Sequence, residues 1–267
     1  MMMPVAASSQ PRPLAGLRVI NTRPADRAPA LSAALEAAGA AVDFLPLLEI
    51  APMEMGPEQR RQLMDLDRYQ VVFVVSPTAA MLGLELLLDY WPQWPAGVAW
   101  VAVGAASAHE LVKAGLDPQV PAIETSEGVL ALPALNALRP GDRVLVLRGE
   151  GGRNLVRDWL QAKSVRVDYL DLYQRRFPLS SVGLWQALES QSVPDAVILT
   201  SGESLRHWLA LAAGAATRIP AVVISPRLAA QARQDGIPEV VVADGTRPEA
   251  IVAALQAWRE AVRHGID

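Results

Sequence analysis

Short runs of consecutive apolar residues alternate along this chain with longer stretches in which apolar residues recur every three or four positions. The short runs read as strands buried on both faces, and the periodic stretches as amphipathic helices. The first cycle is a strand over Leu17–Asn21, a helix over Pro29–Ala38 stopped by Gly39, and a strand-like run Val42–Ile50 interrupted by Pro46. An acidic, Pro-flanked helix follows over Pro57–Asp67, then strand Val71–Val75, helix Ala79–Leu88, strand Ala99–Val103 and helix Ser107–Ala114. A short strand near Val120 and a helix near Gly128–Ala137 close this part. The cycle restarts with strand Arg143–Leu147, helix Asn154–Gln161 and strand Val165–Tyr173. It continues through strand Ala196–Thr200, helix Glu203–Ala212, strand Ala221–Ser225, helix Leu228–Gln234, strand Val240–Ala243 and helix Pro248–Arg263. This alternation predicts an α/β fold, with parallel sheets flanked by helices.

The pattern also repeats itself. LRVINTRPADRAPALSAALEAAGAAVDFLPLLEI (17–50) lies on DRVLVLRGEGGRNLVRDWLQAKSVRVDYLDLYQR (142–175) at an offset of 125. The matches are Arg18/Arg143, Val19/Val144, Arg23/Arg148, Leu35/Leu160, Val42/Val167, Asp43/Asp168 and Leu47/Leu172. The same offset sets YQVVFVVSPTAAMLGLEL (69–86) on PDAVILTSGESLRHWLAL (194–211), with Ser76 on Ser201. An offset of 121 brings Gly115 onto Gly236. Two copies of one βα-rich unit predict two similar lobes, and two facing lobes make a cleft.

Composition narrows the chemistry. At 267 residues the chain has room for two cores. It has no Cys, so disulfides, thiolate metal sites and a Cys nucleophile are excluded. His109, His207 and His264 have no metal-binding spacing, and no structural metal is expected. The net charge is −4 with scattered basic residues, so no nucleic-acid partner is expected. Of 24 cationic residues only Lys113 and Lys163 are Lys; Arg suits carboxylate recognition through its fixed fork. No apolar stretch has the length of a membrane span, and residues 1–13, MMMPVAASSQPRP, lack the pattern of a secretory signal. They read as a disordered leader on a soluble, cytoplasmic protein.

Each main strand ends in a small-residue turn that opens a helix: TRPAD, SPTAA, VGAAS, RGEGGR, TSGES and ISPRL. Ligands of open α/β sheets collect at these strand ends, where free N–H groups and the positive end of a helix favour anions. Ser76 and Ser201 are paired strand-end hydroxyls, followed at helix starts by Thr78 and by Gly202, Glu203 and Ser204. Helix capping is the structural alternative for any one of these hydroxyls. Arg148 and Arg153 flank RGEGGR, which suits an anion. That turn nearly spells a dinucleotide fingerprint, but Asn154 stands at the sixth position, and its repeat partner RPADRAP has no glycine.

TRPADRA with its Leu/Ala helix, LPLLEIAP (45–52), VVFVVSPTA (71–79), VAVGAASA (101–108), ETSEGVL (124–130), LRGEGGR (147–153), VDYLDLYQR (167–175) and AVILTSGESL (196–205) stand here in one order and spacing. In that series the chain resembles the uroporphyrinogen-III synthase family from Leu14 to about Leu255. The resemblance implies lobes that do not coincide with the repeats: 14–47 plus 174–267 in one, 48–173 in the other, joined by two extended linkers. It implies a linear tetrapyrrole substrate, hydroxymethylbilane, with eight carboxylates, cyclised with loss of water and inversion of ring D. The pyrroles supply the electron push, so no cofactor is implied. The family pattern brings in Tyr173 as the catalytic residue, a phenol able to donate to the departing hydroxyl; its repeat partner is Leu48. It also brings in Ser107 and the Arg227 amide as substrate-binding positions. Some relatives carry a hydroxyl residue where this chain has Leu228. A monomer with transient contact to the preceding pathway enzyme is the expected assembly.

Other readings remain at this point. A nucleotide- or sugar-phosphate-binding enzyme lacks its glycine fingerprint, and a two-lobed solute receptor lacks its secretory signal. A degenerate, synthase-like regulatory or ligand-sensing protein would share the fold without the reaction.

Overall fold

The computed structural model describes residues 12–151 and 155–265. Residues 1–11 of the expected leader and Arg153 lie outside that range. Pro13, at the leader's end, sits in a turn, and its carbonyl accepts a hydrogen bond from Arg259 Nη1 at 2.7 Å.

In chain order the elements are β1 (Arg18–Asn21), α1 (Ala28–Ala37), β2 (Ala41–Phe44), β3 (Glu49–Pro52), α2 (Pro57–Met64), β4 (Val71–Val74), α3 (Pro77–Leu88), β5 (Ala99–Ala102) and α4 (Ala105–Lys113). Then come α5 (Ser126–Leu130), α6 (Pro133–Asn136), β6 (Arg143–Gly149), α7 (Leu155–Ala162), β7 (Arg166–Arg176) and α8 (Ser180–Glu189). The last are β8 (Ala196–Leu199), α9 (Gly202–Ala212), β9 (Ala221–Val223), α10 (Pro226–Gln234), β10 (Val240–Val242) and α11 (Pro248–His264). No described helix is long and apolar enough to cross a membrane.

These elements form two compact units. One runs to Glu49 and resumes at Arg176; the other is Ile50–Arg175. The first holds a sheet of order β10-β9-β8-β1-β2, the second a sheet of order β3-β7-β6-β4-β5. Every pair among β1, β2, β8, β9 and β10 is parallel, as are the β4–β5, β4–β6 and β6–β7 pairs. Read through the repeat, β1, β2, β4 and β5 answer to β6, β7, β8 and β9, and the four matched strands stand in the same order in the two sheets, with β3 an extra edge strand of the second. An isolated bridge, Val101 to Gln119, stands in the second unit where the first has β10.

Alternate residues of each central strand feed opposite cores. In the second unit Val72, Val74, Leu145 and Leu147 pack with Leu84, Leu87 and Leu111, while Val71, Phe73, Val144 and Val146 pack with Val129, Leu135 and Leu160. In the first, Ile20, Val197 and Leu199 pack with Trp208 and Leu228; Val19, Ala196 and Ile198 pack with Leu31, Leu35 and Leu255. Strands covered on both faces need unbroken apolar runs, which accounts for the pattern of the sequence.

Four readings need correction. Val42–Ile50 is not one strand: β2 belongs to the first sheet and β3 to the second, with the break at Pro46. The helix near 128–137 is two short helices, because Pro133 lacks the N–H that would continue α5 and instead opens α6. The strand near Val120 shrinks to the single bridge at Gln119. Helix α8 went unread because its exposed side carries apolar residues, Val182 (42 % exposed) and Leu184 (41 %), so no single apolar stripe marks it.

The repeated Arg/Asp pair has a structural role in both copies. Arg18 Nε lies 2.6 Å from Asp43 Oδ2, and Arg143 Nη2 lies 2.9 Å from Asp168 Oδ2, each pair tying neighbouring strands near their beginnings. Asp168 also accepts from the Tyr69 hydroxyl at 2.9 Å and from Arg166 Nε at 3.0 Å. Burial alone would raise the Asp168 pKa, but the bonds from Arg143, Arg166 and Tyr69 outweigh it and hold the carboxyl below its ordinary value. Burial, with the Asp168 bond, pushes the Tyr69 phenol well above its own.

Candidate functional site

A cavity in the second unit has a volume of about 640 Å³. It opens where β4, β6 and β7 end, the place at which an open parallel sheet leaves room for a ligand. Its polar wall includes Ser76, Arg148, Tyr173, Arg175, Tyr169, Glu124 and Glu150, over an apolar floor that includes Phe73, Val75, Val146 and Val156.

Ser76 and Tyr173, 97 positions apart in the chain, meet on this wall with their hydroxyls 3.0 Å apart. Ser76 is the N-cap of α3, and its Oγ accepts the Ala79 N–H at 3.0 Å. Capping and the phenol contact therefore fall on one hydroxyl. Tyr173 is only 3 % exposed, yet it lines the cavity. Thr78, the second residue of α3, is half-buried at that helix start.

Arg148 is held in place from two sides. Its Nε donates to Asp171 Oδ1 at 2.7 Å, and its guanidinium lies 3.6 Å from the centre of the Tyr169 ring. The Asp171 bond takes the Nε side of the fork, and among the described residues no other acceptor engages the terminal nitrogens. Burial raises the Tyr169 phenol above its ordinary pKa, against the pull of Arg148 and Arg157, so the ring stays neutral beneath the cation. Arg23, the repeat partner of Arg148, makes a different contact: its Nη2 donates to the Thr246 carbonyl.

Ser107 does not reach the cavity wall. It is the third residue of α4 and 1 % exposed. Gly104 caps that helix without a side chain, and the Glu124 carboxylate takes the Ala105 N–H at 2.7 Å. The anion site expected at this helix start is thus occupied by a carboxylate of the chain itself.

In the first unit, the serines are engaged with one another. Ser201 caps α9 by accepting the Ser204 N–H at 3.0 Å, while the Ser204 hydroxyl accepts the Ser201 N–H at 3.1 Å. This reciprocal box satisfies both donors and leaves Ser204 buried, with half-buried Glu203 between them. Gly202 and Arg227, at the starts of α9 and α10, line a smaller cavity of about 310 Å³ with Arg206, Gln231 and Asp235. Leu228 lines it too, but it is 4 % exposed, and its N–H is capped by Ser225.

The structure therefore brings together Ser76, Arg148 and Tyr173 in one cavity, and Gly202 with Arg227 in another. It adds Arg175, Tyr169 and Glu124, none of them singled out in the sequence. Arg175 stood in the quoted YLDLYQR segment, two residues after Tyr173, and that alternation along a strand was the available signal. Glu124 opened the ETSEGVL motif, but nothing local tied it to Gly104. Among the described residues, no cluster of His, Asp or Glu has the arrangement of a metal site.

Comparison with known proteins gives a consistent answer. A family model described as uroporphyrinogen-III synthase HemD matches residues 29–253. The uroporphyrinogen-III synthase of Escherichia coli K12 is 30 % identical over 260 residues, covering 90 % of this chain and all of that protein. That of Salmonella typhimurium is 31 % identical over 256 residues, again covering 90 % of this chain and all of its own. Among solved structures, a mutant uroporphyrinogen III synthase from the extreme thermophile Thermus thermophilus superposes with a TM-score of 0.59 at 22 % identity, covering 93 % of this chain and 100 % of the other. The Helicobacter pylori uroporphyrinogen-III synthetase gives 0.54 at 17 % identity, covering 91 % and 99 %. At those identities the structural likeness speaks to the fold.

Proposed function

The chain belongs to the uroporphyrinogen-III synthase family, and on that basis we propose that it is a cyclising hydro-lyase that converts hydroxymethylbilane into uroporphyrinogen III. The observation that carries the catalytic part is the Tyr173 hydroxyl, hydrogen-bonded to Ser76 on the wall of a cavity that also presents Arg148 and Arg175.

In the reaction the ring A hydroxyl leaves as water, with the adjacent pyrrole nitrogen supplying the electron pair that replaces the broken C–O bond. Ring D attacks the resulting azafulvene through its substituted carbon, and the spiro intermediate fragments and recloses with ring D inverted. The carbon at which the macrocycle closes finally loses its proton. Tyr173 donates a hydrogen bond to the departing hydroxyl. Ser76 supports this if its own O–H points to the phenol oxygen, for the phenol proton then faces the cavity. The cap bond from Ala79 leaves the Ser76 proton free for that task.

We assign substrate carboxylates to local donors, since a chain of net charge −4 gains nothing from overall attraction to a polyanion. In the second unit these are the terminal nitrogens of Arg148, Arg175 and the Thr78 amide; Ser107 acts through its place in α4. Arg153 retains the carboxylate role read from the sequence. In the first unit the donors are the helix-start amides of Gly202 and Glu203, in the turn that the Ser201 and Ser204 box holds in shape, and Arg227 beside the smaller cavity. We propose lobes of 14–47 plus 174–267 and 48–173, and a cytoplasmic monomer in transient contact with the preceding pathway enzyme.

The purified protein, with no metal or cofactor added, is expected to turn hydroxymethylbilane into uroporphyrinogen III faster than the spontaneous reaction makes the type I isomer. Chromatographic separation of the two isomers measures this. Type I product alone, at the spontaneous rate, would sink the enzymatic reading and leave a degenerate regulatory protein.

A further inference from the structure

The RGEGGR turn fails as a dinucleotide fingerprint, and its first glycine still needs a reason. Gly149 ends β6 and has no left-handed φ, so its backbone does not demand glycine. What lies over it is the Tyr173 ring. A Cβ at Gly149 would stand 2.5 Å from both Cε2 and Cζ of that ring and 3.0 Å from its hydroxyl oxygen. The approach arises from an irregularity in the β6–β7 ladder, where Arg148 pairs with Asp171 but Gly149 pairs with Tyr173, passing over Leu172. A shift of this kind re-aims the side chains that follow it. Leu172 and Tyr173 consequently both pack in the same core cluster, although successive strand residues ordinarily point apart. The Glu150 N–H fixes the bulge by donating to the Tyr173 carbonyl at 2.7 Å.

We propose that Gly149 is a positioning residue, whose missing side chain lets the Tyr173 ring lie flat on the strand end with its hydroxyl on Ser76. A methyl group there cannot be met by movement of the backbone alone. The ring tip has to swing, and the 3.0 Å bond to Ser76 is what it gives up. This inference rests on the catalytic reading of Tyr173 and extends it to a residue that has no side chain of its own.

The test is a cycle of Gly149→Ala, Tyr173→Phe and the double variant, with kcat, KM for hydroxymethylbilane and the type III to type I ratio measured for each. Gly149→Ala is expected to lower kcat by about tenfold or more, the cost of a misplaced catalytic group, with little change in KM. In the Tyr173→Phe background the same substitution should cost nothing further, because no hydroxyl remains to be misplaced. A crystal structure of Gly149→Ala should show the Ser76–Tyr173 distance opened beyond bonding range. Losses that multiply in the double variant, or an intact Ser76–Tyr173 bond, would overturn the positioning role. Gly149→Ala at wild-type rate beside a slow Tyr173→Phe removes that role alone, whereas Tyr173→Phe at wild-type rate removes the catalytic reading as well. Should Gly149→Ala not fold, Gly149→Ala/Tyr173→Leu, which lacks the ring, is expected to fold as Tyr173→Leu does. A double variant that stays unfolded overturns the idea.

Discussion

Tyr173→Phe is expected to lower kcat about a hundredfold while leaving KM for hydroxymethylbilane within a few-fold, because general-acid assistance of a departing group is typically of that size. The substitution keeps the ring over Gly149 and in its core cluster, and removes only the hydroxyl that faces Ser76. Thermal unfolding should consequently shift little, which separates a chemical loss from a folding one. Residual turnover should drift toward the type I isomer as the spontaneous closure overtakes the enzyme. Ser201→Ala is the natural control: its hydroxyl is spent on the α9 box, and its loss should cost less than about tenfold in rate. Steady-state kinetics with isomer analysis distinguish the two. A fully active Tyr173→Phe beside a dead Ser201→Ala would mean that the wrong hydroxyl has been chosen.

The second large effect is on stability. Asp168→Ala leaves Tyr69, Arg143 and Arg166 without their shared acceptor and should cost about 2 kcal/mol at neutral pH, discounted because Arg143 and Arg166 are partly solvated. The pH dependence has a definite sign. A carboxyl whose folded pKa is depressed stabilises the fold above its unfolded value of about 3.9, and that stability is lost as pH falls through the folded pKa. Tyr69 runs the other way, contributing below its unfolded pKa of about 10 and losing that contribution as pH rises past it. Urea unfolding of wild type and Asp168→Ala from neutral to acid should show the gap between them closing on the acid side. A gap independent of pH would show that the carboxylate charge is not the source.

The α/β architecture was legible because its strands are covered twice. Val71–Val74 and Ala196–Leu199 are buried at every position, and such runs are visible without knowing what covers them. The matched arginines and aspartates were visible too, but a sequence match cannot say whether a pair holds a sheet or a ligand. Arg18 with Asp43 and Arg143 with Asp168 hold sheets. Two of the strand-end turns, those of Ser76 and Arg148, lie on the wall of the cavity that Tyr173 also lines. What could not be read is how those residues spend their bonding capacity. The Ser76–Tyr173 bond joins residues 97 positions apart, and the Glu124 carboxylate reaches back 19 positions to the start of α4. Neither distance carries a periodicity. Helix α8 shows the complementary failure, since a helix with apolar residues on its wet side has no stripe to detect.

The place of β1 in its sheet has a consequence for synthesis. It lies between β2 and β8, and its Val19 pairs with Ala196, which follows 177 residues later. A ribosome therefore releases β1, α1 and β2 long before β8 exists, and the whole of Ile50–Arg175 is made in the interval. The inserted unit has its strands in hand first, so completion runs against chain order. Meanwhile the opening βαβ segment waits with one side of β1 unpaired and with Ile20 lacking Trp185, Val197 and Trp208 of its core cluster. That interval, in which an apolar edge is exposed and its partner has not been translated, is when the nascent chain is most open to wrong pairings.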